Sequence, residues 1–394
     1  MSKIPTKAES SLPRVAIVGG GVCGLGIGWR LADAGCEVDV FDKGEAGHGA
    51  TWAAAGMLAA GVETEPGEEG LLKLTRESQR RWPEFARMLE AASGLSVGYR
   101  DEGTLVVATN RDELDRLRFD YEFQTSLGVE LQWLGGGELR EREPYLRSGV
   151  PGGVFSPNDH QVDNRRLAEA LKVALQKAGG RLHEHAPVEA VEVDAGRAKG
   201  VVMEGRRLEA DVVVLAAGPW SREIDGVPQE ARPPVRPIKG QMLSLRMDPA
   251  HPLVRHVIWA PKLYLVPRDD GRLLIGATVE EKGFDDKVTA GGVFALLEGA
   301  WRALPAIEEL PIDEIWVGFR PGSRDDAPIV GETGVDGLLV ATGHHRNGIL
   351  LAPVTAELMA EAVISGRVPE ALEAFSPARF QGRAGQTQEK VLCR

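Results

Sequence analysis

Short runs of consecutive apolar residues punctuate this chain. The first, at Val15 to Val18, opens RVAIVGGGVCGLGIGWRLADAGCEVDVFDKG. A brief apolar run without polar alternation is what a strand covered on both faces requires, as in a parallel sheet. A glycine turn follows, then a helical stretch, then a second short run ending at Asp42. That order predicts a β-α-β unit. Helical spacing recurs over about Glu69 to Ala92 and Asp112 to Ser126. Asp163 reads as the N-cap of NRRLAEALKVALQKAGG, which the Gly179-Gly180 pair stops.

Beyond that helix the pattern changes period. HAPVEAVEVDAG and RAKGVVMEG predict a hairpin, and DVVVLAAG a fully buried strand. QMLSLRM, LYLVPRDDGRLLIGAT and DEIWVGFRP alternate apolar and polar, as antiparallel strands with one covered face do. GLLVATG then leads into HHRNGILLAPVTAELMAEAVISG, with apolar residues at helical spacing. Parallel-type signatures thus lie at both ends and in the middle, with antiparallel material between them. The expected fold class is α/β: a Rossmann-like FAD/NAD(P)-binding domain interleaved with an antiparallel-sheet α+β substrate domain. The division places residues 13–92, 155–228 and 323–380 in the first and 93–154 and 229–322 in the second. Residues 1–12 and 381–394 are polar, aperiodic, flexible termini.

Gly19, Gly21 and Gly24 form G-x-G-x-x-G between the first strand and its helix, with Val22 at the helix start. Gly19 permits the tight turn, Gly21 lets the backbone reach a pyrophosphate, and Gly24 lets helix pack on strand. The helix N-terminus adds free N–H groups and partial positive charge. Asp42 stands 23 positions after Gly19, where an acid would meet ribose hydroxyls. Two further segments bear on which dinucleotide binds. DVVVLAAGPWS, at Asp211 to Ser221, resembles the second nucleotide-contact segment of two-dinucleotide-fold flavoproteins. ATWAAAGMLAAG, at Ala50 to Gly61, would let backbone lie against a flat ring, although a small-residue packing face has the same composition.

Charge and cysteine content narrow the partners. Lys+Arg total 46 against 58 Asp+Glu, a net −12, which disfavours nucleic acid. Cys23, Cys36 and Cys393 form neither metal spacing nor a disulfide framework, as in a reducing compartment. No apolar run reaches the ~20 residues of a membrane span. MSKIPTKAESSLPR lacks the apolar core of a secretory signal, so a cytoplasmic protein is expected. Cys23 reads as a packing residue.

With AAAGM, PVRPIKGQML, YLVP, GATVE, GFRPGSRDDAPIVG and HHRNGILLAP in this order, the chain resembles the D-amino-acid oxidase family of FAD enzymes. The likeness runs from about Arg14 to Phe375 and favours the family's glycine-oxidising branch, tied to thiazole formation in thiamine biosynthesis. The resemblance implies that Asp42 and Lys43 hold the adenosine ribose, and that the Val188 backbone meets adenine. It lays Thr51, Ala54, Gly56 and Met57 along the flavin, and Ala217 and Gly218 at the close of the nucleotide site. Arg346, Asn347, Gly348 and Ile349 would approach the pyrimidine edge, with a helix starting near Gly348 stabilising charge there. Arg320 would form a two-pronged ion pair with a substrate carboxylate, assisted by Tyr264. The Arg346 carbonyl would accept a bond from the substrate amine. Guanidinium geometry suits this task because two parallel N–H groups match two carboxylate oxygens.

Other readings of these residues stay open. Arg320 is also placed to pair with Asp325 or Asp326, Tyr264 to be a core residue, and Arg346 to offer only its backbone with its charge in solvent. Strand alternation puts Lys262 on the face of Tyr264 and Trp316 on that of Arg320, which makes Lys262, Met57 and Trp316 candidates for the substrate pocket. Lys262 stands where the usual pattern has histidine. WVGFRPGSRDDAPIVG lacks the cysteine, and RLLIGAT the lysine, that sarcosine oxidases carry, which favours non-covalent FAD. The resemblance thus implies oxidation of glycine, sarcosine or D-alanine with dioxygen by a homo-oligomer, a tetramer or dimer, with no side-chain base in the site. A dehydrogenase feeding a quinone or carrier, or a non-catalytic FAD-binding assembly factor, are the alternatives.

Overall fold

The computed structural model describes residues 12–381; the expectations for Cys393 and for residues 1–11 and 382–394 lie outside the described residues. Two large sheets carry the molecule. The first has six strands, in the order Ile329–Glu332, Leu338–Thr342, Val212–Leu215, Arg14–Val18, Glu37–Phe41 and Arg181–His183. All neighbours are parallel except the first pair. Val212–Leu215 is buried at every position, as its unbroken apolar run predicts. Helices Val22–Asp33, Asn164–Lys177 and Ala352–Ser365 pack together over this sheet. Asp163 caps the second of them by accepting the N–H groups of Arg165 and Arg166.

The second sheet has eight strands: Ile312–Gly322, Arg236–Arg246, Arg272–Gly276, Leu263–Pro267, Val257–Ala260, Thr104–Ala108, Gly152–Ser156 and Gln132–Gly135. It is antiparallel apart from the pair Val257–Ala260 and Thr104–Ala108. Its last three strands come from a region where the pattern suggested only helices. Gly152 and Gly153 weaken the signal of Gly152–Ser156 alone, whereas Thr104–Ala108, TLVVA, carries the ordinary apolar, β-branched run of a strand. Elsewhere the predicted hairpin is a three-stranded meander, because the fully exposed Arg206–Glu209 adds to Ala190–Asp194 and Arg197–Met203. Among the described residues no helix is long and apolar enough to cross a membrane.

Candidate cofactor and substrate site

One cavity of about 1210 Å³ runs from the glycine turn of the first sheet to the strand ends of the second. At its nucleotide end lie Gly19, Gly21, Val22, Asp42, Lys43, Val188, Ala217 and Gly218. Gly19 has φ 110°, and a Cβ there would stand 2.4 Å from the Ala216 carbonyl oxygen. Gly24 does not line the cavity; a Cβ on it would sit 1.9 Å from the Gly19 carbonyl oxygen, so its role is close packing of helix on turn. The Asp42 carboxylate accepts the N–H groups of Gly20 at 2.8 Å and Gly44 at 2.9 Å, which fixes it at the strand end. The Lys43 ammonium lies 3.7 Å from the Trp220 ring centre, and burial lowers its pKa. Cys23 is buried, and burial pushes its thiol up to about 12, in keeping with a packing role.

Above the turn, the segment Thr51 to Gly56 is strapped from behind. Asn164 Nδ2 donates to the carbonyls of Thr51 and Trp52, and Trp316 Nε1 to that of Ala53. Arg268 Nη2 donates to Ala55 at 2.7 Å, and the Val162 N–H to Gly56 at 2.8 Å. None of these partners lines the cavity. The strip therefore turns its carbonyls away and presents Ala53, Ala54, Ala55, Gly56 and Met57 to the cavity. Gly56 has φ 69°, and a Cβ there would meet the Val162 carbonyl oxygen at 2.0 Å. The Thr51 hydroxyl accepts the Val22 N–H at 2.9 Å, tying the strip to the dinucleotide helix. Asn164 and Arg268, both buried, are supports that the sequence pattern did not single out. Trp316 is corrected: strand alternation puts it on the face of Arg320, but residues Trp52 and Ala53 cover it, and it braces the strip from outside the cavity.

At the substrate end, Arg320 and Tyr264 meet on the cavity wall. Strand Ile312–Gly322 carries Arg320 beside Gly240, where a Cβ would stand 2.5 Å from the guanidinium Nη1. A side chain there would displace the guanidinium from this position, and a glycine inside a strand was the available signal. Arg320 Nη1 donates to the Thr278 carbonyl at 3.1 Å. Neither suggested acid pairs with it: Asp325 binds Arg379 at 2.8 Å, and Asp326 lies 3.5 Å from His345. Among the described residues no carboxylate stands within ion-pair distance of Arg320. The Tyr264 ring lies over Gly276, with its hydroxyl 3.9 Å from the Met242 sulfur. Burial raises the Tyr264 pKa, and the neighbouring Arg320 charge opposes that rise.

Three expectations at this end are corrected. Lys262 lines the cavity, but it occupies an exposed hairpin turn with φ 69°, between Val257–Ala260 and Leu263–Pro267, so strand alternation does not orient it. The Arg346 charge is not in solvent: Nε lies 2.9 Å from Glu63, and Nη2 donates to both Glu68 oxygens at 2.8 and 2.7 Å. The regular helix begins at Ala352 rather than near Gly348. A 3-10 turn, His345–Asn347, precedes it, with the Leu351 N–H reaching the Asn347 carbonyl at 2.8 Å. Gly348 and Ile349 line the cavity, whereas Asn347 is buried behind it.

The lining also includes Glu63, which no sequence signal marked. It sits in VETEPGEEG, which reads as a solvated acidic loop. Burial pushes its carboxyl up to about 7, reinforced by Asp159 and Glu68 and opposed by Arg346. A carboxyl group thus lines a cavity in which the resemblance implied no side-chain base.

A family model described as FAD dependent oxidoreductase matches residues 14–362. The chain belongs to this family. As an FAD-dependent oxidoreductase it shares 38% identity with the glycine oxidase of Geobacillus kaustophilus, over 94% of this chain and 98% of that one. The crystal structure of that enzyme superposes with a TM-score of 0.88 at 37% identity, covering 95% of this chain and all of its own. The bifunctional protein ThiO/ThiG of Synechocystis is 38% identical over 93% of this chain, which spans about half, 54%, of that longer relative. The flavoprotein's own geometry fits the cofactor: a glycine cradle that a Cβ would fill, a helix N-terminus, and a flat, small-residue strip along one cavity.

Proposed function

We propose that this protein is an FAD-dependent glycine oxidase. The observation that carries the reading is Arg320: a guanidinium without a carboxylate partner, beside Tyr264, in the cavity that the Ala53 to Met57 strip also lines. A carboxylate entering there gains a charge-assisted, two-pronged partner and a phenolic donor. The backbone carbonyl of Arg346 takes the amine, so that Cα is held toward the strip. Thr51, Ala54, Gly56 and Met57 lie along the isoalloxazine, Gly19, Gly21 and Val22 at the pyrophosphate, with Asp42 at the ribose and Val188 at adenine. The cofactor that these residues would hold, FAD, would supply the acceptor for the Cα hydride and the means of reducing dioxygen to hydrogen peroxide. The imine product hydrolyses to glyoxylate and ammonia or enters thiazole synthesis.

The five-segment division into cofactor and substrate domains, a cytoplasmic location and a homo-oligomer are parts of the same reading. Sarcosine and D-alanine remain rival substrates, since one methyl group changes pocket discrimination by only ~1–3 kcal/mol. Purified protein should be yellow, and acid or heat should release all its flavin. Under anaerobic conditions glycine should bleach the flavin, and readmitted oxygen should restore the colour. Bleaching with no reoxidation by oxygen would replace the oxidase by a dehydrogenase. No bleaching with glycine, sarcosine or D-alanine would leave an FAD-binding scaffold. In the same assay Lys262→Met should leave the pH profile of flavin reduction unchanged and the glycine KM within about twofold, as expected of a solvated ammonium. A displaced acid limb would mean that the Lys262 ammonium acts on the bound substrate.

A further inference from the structure

Apart from the charges at its rim and its nucleotide end, the cavity wall carries two charged groups of opposite character. On one side Arg320 is cationic and, among the described residues, has no carboxylate partner. On the other, a single guanidinium, Arg346, is shared by two carboxylates, and its Nη2 donates to both oxygens of Glu68. Glu63 holds only the Nε edge, at 2.9 Å, so one carboxylate charge in this set is uncompensated. A zwitterionic amino acid matches that polarity at both ends. We propose that Glu63 receives the proton of the bound substrate's ammonium group, delivering the neutral amine from which hydride leaves Cα. The inference rests on the amino-acid oxidase reading and deepens it. In the step an amine N–H bond breaks, its electron pair stays on nitrogen, and an O–H bond forms on a Glu63 carboxylate oxygen. No electrons are transferred, and the proton later passes to water.

The fold prepares Glu63 for this. Asp159 accepts the N–H groups of Gly61 and Val62, both at 2.9 Å. Gln124 donates to the carbonyls of Val62 and Thr64, and Arg346 Nη2 to that of Glu63 itself. The loop is thereby clamped on three sides while the Glu63 side chain lines the cavity. The charged groups around it are Arg346, Glu68 and Asp159, with Tyr264 on the cavity wall within reach of its field. Arg320 adjoins Tyr264, and His345 adjoins Arg346. Glu65, Glu113, Arg116, Asp120 and Lys262 line the same cavity toward its exposed rim. Burial places the Glu63 carboxyl near neutrality, where an acceptor can both take and release a proton, whereas His345 is held down at about 4 and Tyr264 is raised.

The test is stopped-flow anaerobic flavin reduction by glycine across pH, with the flavin spectrum and melting temperature as folding controls. Glu63→Gln should slow reduction at pH 7 by about 10²-fold or more, the usual worth of proton transfer by a positioned side chain. It should also move the acid limb upward by at least one pH unit, while Glu63→Asp should keep the native limb. An unmoved limb in Glu63→Gln would overturn the proposal. A second arm needs no variant: glycolate, which has a carboxylate but no ammonium, is titrated into the native holoenzyme by flavin spectral perturbation. Protonated Glu63 donates to its hydroxyl, and ionised Glu63 repels it, so affinity should fall severalfold from pH 6 to pH 8. A flat affinity would also overturn the role of Glu63. If glycine never reduces the native flavin, the oxidase reading fails separately.

Discussion

Arg320→Leu should keep its flavin, its visible spectrum and its melting temperature while losing nearly all glycine turnover. In the free protein the guanidinium donates to the Thr278 carbonyl and adjoins Tyr264, and among the described residues it compensates no buried carboxylate. Removing it therefore leaves no orphaned protein charge, and the fold has little reason to respond. The substrate carboxylate is the group left unpaired, in a cavity with a half-buried wall. Breaking a desolvated pair by deleting one partner costs roughly 3–5 kcal/mol. At 1.36 kcal/mol per decade, that is a fall of about 10²- to 10³-fold or more in kcat/KM. Arg320→Lys should recover little, because a point charge on a flexible stem replaces a rigid fork beside Gly240. A near-normal glycine KM in either variant would remove Arg320 from carboxylate binding.

The parts of the site that were legible from sequence are those fixed by local chemistry. G-x-G-x-x-G, the aspartate at the second strand end and the Asp163 cap belong to one β-α-β unit or one helix start, and each stands where the pattern puts it. Residues whose role depends on a distant partner were not legible. Glu63 looks like one acid among several in a polar loop; only its meeting with Arg346, from the other end of the chain, makes it a half-buried, paired carboxylate on the cavity wall. Arg268 and Asn164 look like surface residues until their donors are seen to hold the Ala55, Thr51 and Trp52 carbonyls. Trp316 is misplaced for a third reason, which also means that Lys262 lines the cavity without strand alternation orienting it. Period-two alternation orients a side chain only while the backbone stays extended and nothing packs over that face. A left-handed turn breaks the first condition, and Trp52 with Ala53 breaks the second.

Two alanine substitutions in one glycine motif should fail in opposite ways. At Gly24 the new methyl would stand 1.9 Å from the Gly19 carbonyl oxygen, a backbone atom that cannot rotate aside. The helix Val22–Asp33 must then lift from the turn, although it carries Leu25, Ile27 and Leu31 at the centre of the core. Overpacking of this kind costs about 1–3 kcal/mol in a core, and more where the clash is with backbone. Gly24→Ala should therefore lower the melting temperature even of flavin-stripped protein and accumulate poorly. Gly21 is different. Its φ of −77° suits any residue, and its nearest atom to a new Cβ is the Thr51 hydroxyl at 3.4 Å, an ordinary contact. It lines the cavity where the pyrophosphate is expected. Gly21→Ala should melt within a few degrees of the native apoprotein yet bind FAD at least 10²-fold more weakly, as measured by quenching of flavin fluorescence. The methyl would hold the phosphates off the helix N-terminus, where backbone N–H groups and the helix dipole act only over the first turn. Native FAD affinity in Gly21→Ala would move the pyrophosphate elsewhere in the cavity. Native apoprotein stability in Gly24→Ala would mean that the turn yields by more than its hydrogen bonds, the Gly19 N–H to Phe41 and the Leu25 N–H to Gly21, both 2.8 Å, suggest.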